Sequence, residues 1–144
     1  MHPVNFTNDP YLAGQNDNLV AINATMQVDL IGQCGSERLG FTPYSGTGGQ
    51  ADFVRAANRS QGGKAFIVLP ATAKEGAISR IVPTLTAGTH ITTGKNDVNY
   101  VVTEFGVAQL RGKTAKQRAQ ALIGIAHPDF RAELREAAKK MNLL

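Results

Sequence analysis

The sequence is poor in the residues that mark several classes of protein. It has one cysteine, Cys34, no tryptophan, and only 18% charged residues among its 144. A single cysteine excludes an intramolecular disulfide framework and fits a reducing cytosol, so we expect a cytoplasmic protein. No apolar run approaches the ~20 residues of a membrane-spanning helix, and the first residues have neither the charged nor the apolar region of a signal peptide. We therefore expect no membrane partner.

The basic residues are concentrated towards the end of the chain. The formal net charge is +4, and the tail from Arg111 onward has more basic than acidic residues. A basic face can serve nucleic acid or an anionic cofactor, or it can be a solvated helix surface. Because no basic run is interleaved with aromatic residues, we expect no nucleic acid partner.

Metal chemistry is also not expected. His2, His90 and His127 are far apart in the sequence, and no acidic residue or cysteine lies at a metal-ligand spacing from any of them. Cys34 has no local acid–base partner, so it is not interpreted as a nucleophile. We expect neither a metal nor a bound cofactor.

Several segments have helical patterns with recognisable start signals. Asn8-Asp9-Pro10 combines a capping residue with proline at the first helical position, and predicts a short helix to about Gln15. The segment QADFVRAANRS has apolar residues at helical spacing. Thr114 is expected to cap a helix through about Ala126, and HPDFRAELREAAKKM predicts a last helix with Phe130, Leu134 and Ala138 facing inward.

Strand patterns alternate with these helices. From Leu19 to Leu30 apolar and polar residues alternate, which predicts a long half-buried strand, bent near its middle, with Val20 and Ile22 on the inner face. KAFIVLP is a continuous apolar run, typical of a strand buried on both faces. SRIVPTL, THITT and VNYVVT predict further short strands. Residues 1–144 are therefore expected to form a single α/β domain, a layered open sheet with flanking helices.

The stretch YSGTGGQADF contains three glycines within four residues, directly before a predicted helix. It is neither a P-loop nor a dinucleotide fingerprint, because neither spacing matches. A loop at a helix N-terminus can point backbone N–H groups at negative charge, permanent or developing. The alternative is a sharp turn that needs positive φ at glycine, and the loop alone does not separate the two.

Four blocks together carry a resemblance to a known family. YSGTGGQADFVRAA, SRIVPTL, DVNYVVTEFGVAQLRGKT and AHPDFRAEL, in this order and spacing, resemble the carboxy-terminal domain of the acetyl-CoA hydrolase/CoA-transferase family, whose fold is of the NagB/RpiA-like type. NDNLVAINATMQVDLIGQ is similar to the family's entry strand. The resemblance covers nearly the whole chain.

The resemblance implies transfer of CoA between an acyl-CoA and a carboxylate, of the 4-hydroxybutyrate, acetate or butyrate type, through a glutamyl-CoA thioester. It implies a backbone oxyanion donor in the SGTGG loop, at Gly48 or Gly49. It places Asn23 beside the catalytic glutamate or substrate carboxylate, and makes Glu104 a polar wall of the active site. CoA is then a substrate, and the cofactor-binding residues remain unknown.

One part of the family's pattern is absent from the chain. The nucleophilic glutamate belongs to a preceding segment that resembles HTEM, which does not occur here. We therefore expect the amino-terminal half to lie elsewhere in a longer polypeptide, the whole enzyme to be a homo-oligomer, and the 144-residue chain alone to fold but be inactive. The alternatives are an acyl-CoA hydrolase domain, or a non-catalytic module that binds CoA or an acyl group.

The remaining candidates have ordinary structural explanations beside the functional ones. Tyr44 and Ser45 can donate to an acyl group, or be a packed aromatic and a turn serine. Asp52 is expected to complement the helix dipole. Lys95 and Arg80 can meet CoA phosphates, or be solvated charges.

Overall fold

The computed structural model describes residues 1–144 as a mixed α/β structure of short strands and helices. In chain order the strands are β1 (Val20–Ala24), β2 (Gln27–Asp29), β3 (Cys34–Gly35), β4 (Arg38–Leu39), β5 (Thr42–Pro43), β6 (Lys64–Val68), β7 (Thr72–Ala73), β8 (Ile78–Ser79), β9 (Ile81–Val82), β10 (Tyr100–Thr103) and β11 (Gly106–Gln109). The helices are α1 (Val4–Thr7), α2 (Pro10–Ala13), α3 (Gln50–Arg59), α4 (Ala115–Gly124) and α5 (Arg131–Lys140), with a 3-10 turn at Pro128–Phe130 before α5.

The main sheet has four strands in the order β1-β6-β10-β11. The first three are parallel, and β11 returns antiparallel beside β10. A second sheet of three strands has the order β3-β2-β9, and β4–β5 and β7–β8 form two small hairpins. The expected α/β class is confirmed.

The residues predicted to cap helices do so in the structure. The Asp9 carboxylate accepts from the backbone N–H groups of Tyr11 and Leu12 at the start of α2. Thr114 and Gln117 form a capping box at the start of α4, so that each side chain pairs with the other residue's backbone. None of the helices is both long and apolar enough to cross a lipid bilayer.

The capping box gives a direct stability prediction. Replacing Thr114 with alanine is expected to lower the free energy of unfolding by ~1 kcal/mol, because an N–H in the first turn of α4 loses its acceptor. Denaturant unfolding measures this, with Gln120→Ala on the exposed surface of the same helix as the matched control. Equal stability of the two variants would contradict a role for the cap.

Helices and the second sheet cover one face of the main sheet. Ala21, Ala65, Ile67, Val101 and Ala108 lie on this face and are buried in the apolar core. Val54 and Ala57 from α3 and Leu122 from α4 pack in the same core. The opposite face is left open, and none of its side chains is buried.

The predicted strand from Leu19 to Leu30 is corrected in two ways. It divides at Thr25–Met26 into β1 and β2, which belong to different sheets, so the bend was predicted but the break was not. The inner face of its first half was also predicted wrongly, since Ala21 is buried whereas Val20 and Ile22 are 53% and 67% exposed. Alternation of apolar and polar residues divides a strand's side chains between two faces, but it does not tell which face a helix covers. Small residues such as Ala21 and Ala65 let α3 approach closely.

Other strand predictions hold in part. KAFIVLP forms β6, but it is buried on one face only, with Phe66 and Val68 half-buried on the other. VNYVVT yields β10 and SRIVPTL yields the short β9, whereas THITT forms no strand and contributes only a bridge from Thr93 to Cys34. The last helix is confirmed, with Leu134 and Ala138 buried.

Candidate functional site

The candidate site lies at the carboxyl edge of the parallel strands, where open α/β sheets place their ligand crevices. β1, β6 and β10 all end at this edge. Helix α3 runs back from this edge to the start of β6, so the glycine loop that precedes α3 is at the same edge. The fold therefore brings Asn23, Glu104 and the loop to one end of the sheet.

The glycine loop presents free backbone donors. None of the N–H groups of residues 46–52 has a hydrogen-bond acceptor within the chain, and α3 has no side-chain cap at its N-cap residue, Gly49. The first turn of a helix normally satisfies these donors by a cap, by water or by a ligand. The loop is thus an uncapped helix start open to an anionic or polarised oxygen.

Glu37 holds this loop in place, a role that the sequence did not reveal. Its backbone carbonyl accepts from the N–H groups of Tyr44 and Ser45 at 2.9 and 3.2 Å. Its carboxylate accepts from the hydroxyls of Thr47 (2.6 Å) and Thr92 (3.1 Å). Gln50 adds a hydrogen bond from its amide to Thr93 at 3.1 Å. Nothing in the local sequence marks Glu37, because Thr92 is 55 residues away.

The structural alternative for the loop, a turn that requires positive φ, is not what the backbone shows. Gly46, Gly48 and Gly49 all lie outside the left-handed region. A Cβ on Gly46 or Gly48 would meet nothing within 4 Å, whereas one on Gly49 would lie 2.6 Å from the Asn8 amide nitrogen and 3.1 Å from the Phe53 ring. Neither backbone strain nor packing within this chain explains the glycine at position 48.

Asn23 lies on the covered face, near the carboxyl end of β1. It is half-buried between buried Ala21 and buried Thr25, and its Cα pairs with that of Ile67 on β6. Its side chain makes no hydrogen bond within the chain, and so its amide is available to a ligand or to another part of the protein. Alternation with Val20 and Ile22 on the inner face would put Asn23 on the opposite, polar face, whereas Asn23 lies on the side of α3.

Glu104 directly follows β10 and is exposed. One carboxylate oxygen accepts from the backbone N–H of Ala71 at 2.8 Å, which fixes the turn after β6. No ion pair with Arg111 or Lys113 forms. Asn23 and Glu104 are separated by β6, two strand spacings of about 4.8 Å each. Glu104 therefore lies within reach of a ligand at this edge while having a structural contact of its own.

A cleft of about 210 Å³ opens beside the loop. Tyr44, Arg80 and Lys74 line it together with Met26 and Ile78, and no acidic side chain does. Arg80 is half-buried, and its Nε is buried without a hydrogen-bond partner. Of the two interpretations of Arg80, the freely solvated charge does not hold, and its guanidinium lines the cleft as a cation that suits a carboxylate or phosphate.

Residues outside the cleft have structural roles. Burial, and to a lesser extent the charge of Asp29, raises the pKa of the Cys34 thiol far above its usual range, which makes the thiol inert. Arg118 of the basic tail is also buried; its guanidinium donates to the carbonyls of Ile31 (2.8 Å) and Lys95 (2.7 Å), and burial lowers its pKa. Tyr44, which lines the cleft, is 64% exposed rather than packed.

Comparisons with known proteins show the family of the chain. Residues 1–138 match the family model of the acetyl-CoA hydrolase/transferase C-terminal domain. The chain is 68% identical over 142 residues to a succinyl-CoA:cyclohexane-1-carboxylate CoA transferase of Geobacter metallireducens, covering 99% of this chain and 32% of the relative. It is 53% identical over 139 residues to a 4-hydroxybutyrate coenzyme A transferase of Clostridium kluyveri, covering 96% and 32%.

Solved structures give the same result. RipA from Yersinia pestis superposes with a TM-score of 0.92 at 50% identity, over 99% of this chain and 32% of that one. A 4-hydroxybutyrate CoA-transferase from Porphyromonas gingivalis superposes with a TM-score of 0.79 at 46% identity, over 97% and 31%. The chain thus spans about a third of the length of these relatives. It belongs to the acetyl-CoA hydrolase/transferase family, and it is similar to the carboxy-terminal domain of that family.

Proposed function

We propose that this chain is the carboxy-terminal part of a CoA-transferase that moves CoA from an acyl-CoA to a small carboxylate. The observation that carries the proposal is the run of free backbone N–H groups at residues 46–52, at the sheet edge where Asn23 and Glu104 also lie. Acyl transfer passes through tetrahedral oxyanions, and such donors stabilise them by ~3 kcal/mol each where measured in other enzymes.

The roles of the chain's own residues follow from their positions. Gly48 or Gly49 donates a backbone N–H to the carbonyl oxygen that becomes negative. Asn23, with a free amide, orients the nucleophilic carboxylate or the substrate. Glu104 forms a polar wall. The nucleophile is a glutamate from the part of the polypeptide outside these 144 residues, which forms a thioester with CoA during turnover.

The reaction is tested by following acyl-CoA species with the full-length protein. Succinyl-CoA or acetyl-CoA is incubated with cyclohexane-1-carboxylate, 4-hydroxybutyrate or butyrate, the acids in the relatives' names. We expect a new acyl-CoA in amounts equal to the released acid. Release of free CoA at the same rate with and without an acceptor would show a hydrolase instead, and binding without turnover would show a non-catalytic module.

The cleft beside the loop gives a prediction about the acceptor. Replacing Arg80 with lysine is expected to raise the KM for the carboxylate about 10-fold with a smaller change in kcat, because lysine keeps the charge but loses the planar two-point contact. Steady-state kinetics with varied carboxylate measures this. Arg135→Lys, on the exposed surface of α5, is the control. An unchanged KM would remove Arg80 from the carboxylate site.

Glu104 gives a second prediction, in which structural and catalytic roles are separated. Glu104→Gln keeps an oxygen acceptor for the Ala71 N–H, while Glu104→Ala removes it. We expect both variants to lower kcat, and only the alanine variant to lose about 1 kcal/mol of stability. Normal kcat in the glutamine variant would mean that Glu104 only fixes the turn.

A further inference from the structure

The main sheet has one face that nothing in the chain covers. We call it the open face; it comprises Val20, Ile22, Ala24, Lys64, Phe66, Val68, Tyr100, Val102, Val107 and Gln109. Ile22 is 67%, Val107 59% and Val20 53% exposed. The Cα register places Ile22, Phe66 and Tyr100 side by side across the three parallel strands, and the Phe66 and Tyr100 rings stack at 5.1 Å.

This face has the chemistry of a buried surface. Eight of its ten residues are apolar or aromatic, the only charge is Lys64, and no acid is present. Parallel sheets occur almost only with both faces covered, and their strands are apolar on both sides for that reason. The apolar residues of β6 on this side are only half-buried, which indicates that a covering layer is missing. Scattered surface residues do not account for it, because these are neighbours in one contiguous patch.

The edge of the sheet points the same way. β1 pairs only with β6, so its outer edge is unpaired. An unpaired edge strand of a free-standing domain is usually protected by charged residues, proline or a bulge. β1 has the sequence VAINA and none of these features.

We propose that the open face is the docking surface for the amino-terminal remainder of the same polypeptide, which covers it with one or more amphipathic helices. The relatives are about three times as long as this chain, since it spans 32% of them, so the covering segment is available within each molecule. Helices are the elements that crossover connections place on a parallel sheet. The inference needs only that the chain is part of a longer polypeptide, and not that this polypeptide transfers CoA.

The position of the open face also has a consequence for the site. Asn23 alternates with Ile22 and Ala24 on β1, and Glu104 follows β10, whose Val102 lies on the open face. A layer packed on that face ends beside the same carboxyl edge. The remainder of the polypeptide is thereby brought next to the glycine loop, without any contact between the loop and the covering helices being required.

Cysteine labelling of the full-length protein tests the proposal. Ile22→Cys and Val107→Cys report on the open face, and Gln120→Cys, at an exposed position of α4, is the control. The natural cysteine, Cys34, is fully buried and is expected to stay unlabelled in the native protein. Maleimide modification is quantified for each peptide by mass spectrometry, in native and denatured protein. We expect native labelling of the two open-face cysteines to be slowed at least about 100-fold relative to the denatured state, and labelling of Gln120→Cys to be slowed little.

Two outcomes overturn the proposal. Labelling of the open-face cysteines as fast as that of Gln120→Cys would mean that the face stays bare. Protection that disappears on dilution, together with dissociation seen by light scattering, would mean that a second copy covers it. If a substitution prevents folding, hydroxyl-radical footprinting of the unmodified protein replaces it, with Tyr100 expected to be protected and exposed Tyr11 to react. Because no readout is an activity, failure here is distinguishable from failure of the proposed function.

Discussion

Replacing Gly48 with alanine in the full-length protein is expected to lower kcat by at least about 10-fold while the melting temperature stays unchanged. The site around a Cβ at this position is empty within the chain, so folding loses nothing. A methyl group there instead occupies the space through which a substrate carbonyl approaches the free N–H groups of residues 46–52. The affinity for the CoA thioester changes much less, because oxyanion donors act mainly in the transition state.

Gly49→Ala is the informative partner of this variant. Its Cβ meets the Asn8 side chain and the Phe53 ring, so we expect a lower melting temperature whatever happens to kcat. Gly124→Ala, equally open but on α4, controls for the substitution itself. If Gly48→Ala and Gly49→Ala both keep normal kcat per folded molecule, the oxyanion role of the loop is wrong and the loop is only a connection.

The 144-residue chain alone is expected to show no CoA transfer at all. None of its residues matches the family's nucleophilic glutamate, and loss of a covalent nucleophile costs about 10⁶ in kcat in a well-studied protease. The full-length protein and the isolated chain are compared with acetyl-CoA and a carboxylate acceptor, with circular dichroism to check that the isolated chain is folded. Sustained turnover by the isolated chain would show that the nucleophile lies within it.

Local signals in the sequence predicted the elements whose stability is local. Thr114, and Asp9 with Pro10, are capping signals that depend on residues within one helical turn, and both cap their helices as expected. The strand signal of VNYVVT was also local, and Glu104 directly follows the strand that it predicted. Such features need no knowledge of the rest of the fold.

Features that depend on distant residues could not be predicted. The face of β1 that α3 covers depends on how α3 packs, and alternation alone assigned Ile22 to the wrong side. Glu37 anchors the glycine loop through Thr92, and Glu104 holds the N–H of Ala71, 33 residues away. The apolar run of β6 predicted two buried faces, whereas only one is buried within these residues; the layer proposed for the other belongs to polypeptide outside this chain.

Mapping the covalent intermediate tests most directly the division of the active site between this chain and the remainder of the polypeptide. The full-length protein is incubated with an acyl-CoA in the absence of acceptor, the enzyme-bound thioester is reduced to a stable alcohol, and the modified glutamate is located by peptide mass spectrometry. The expected result is a single modified glutamate outside residues 1–144, with Glu104 and Glu37 unmodified. Modification at Glu104, or at any other residue of this chain, would contradict the proposal that the chain supplies the oxyanion donors and not the nucleophile.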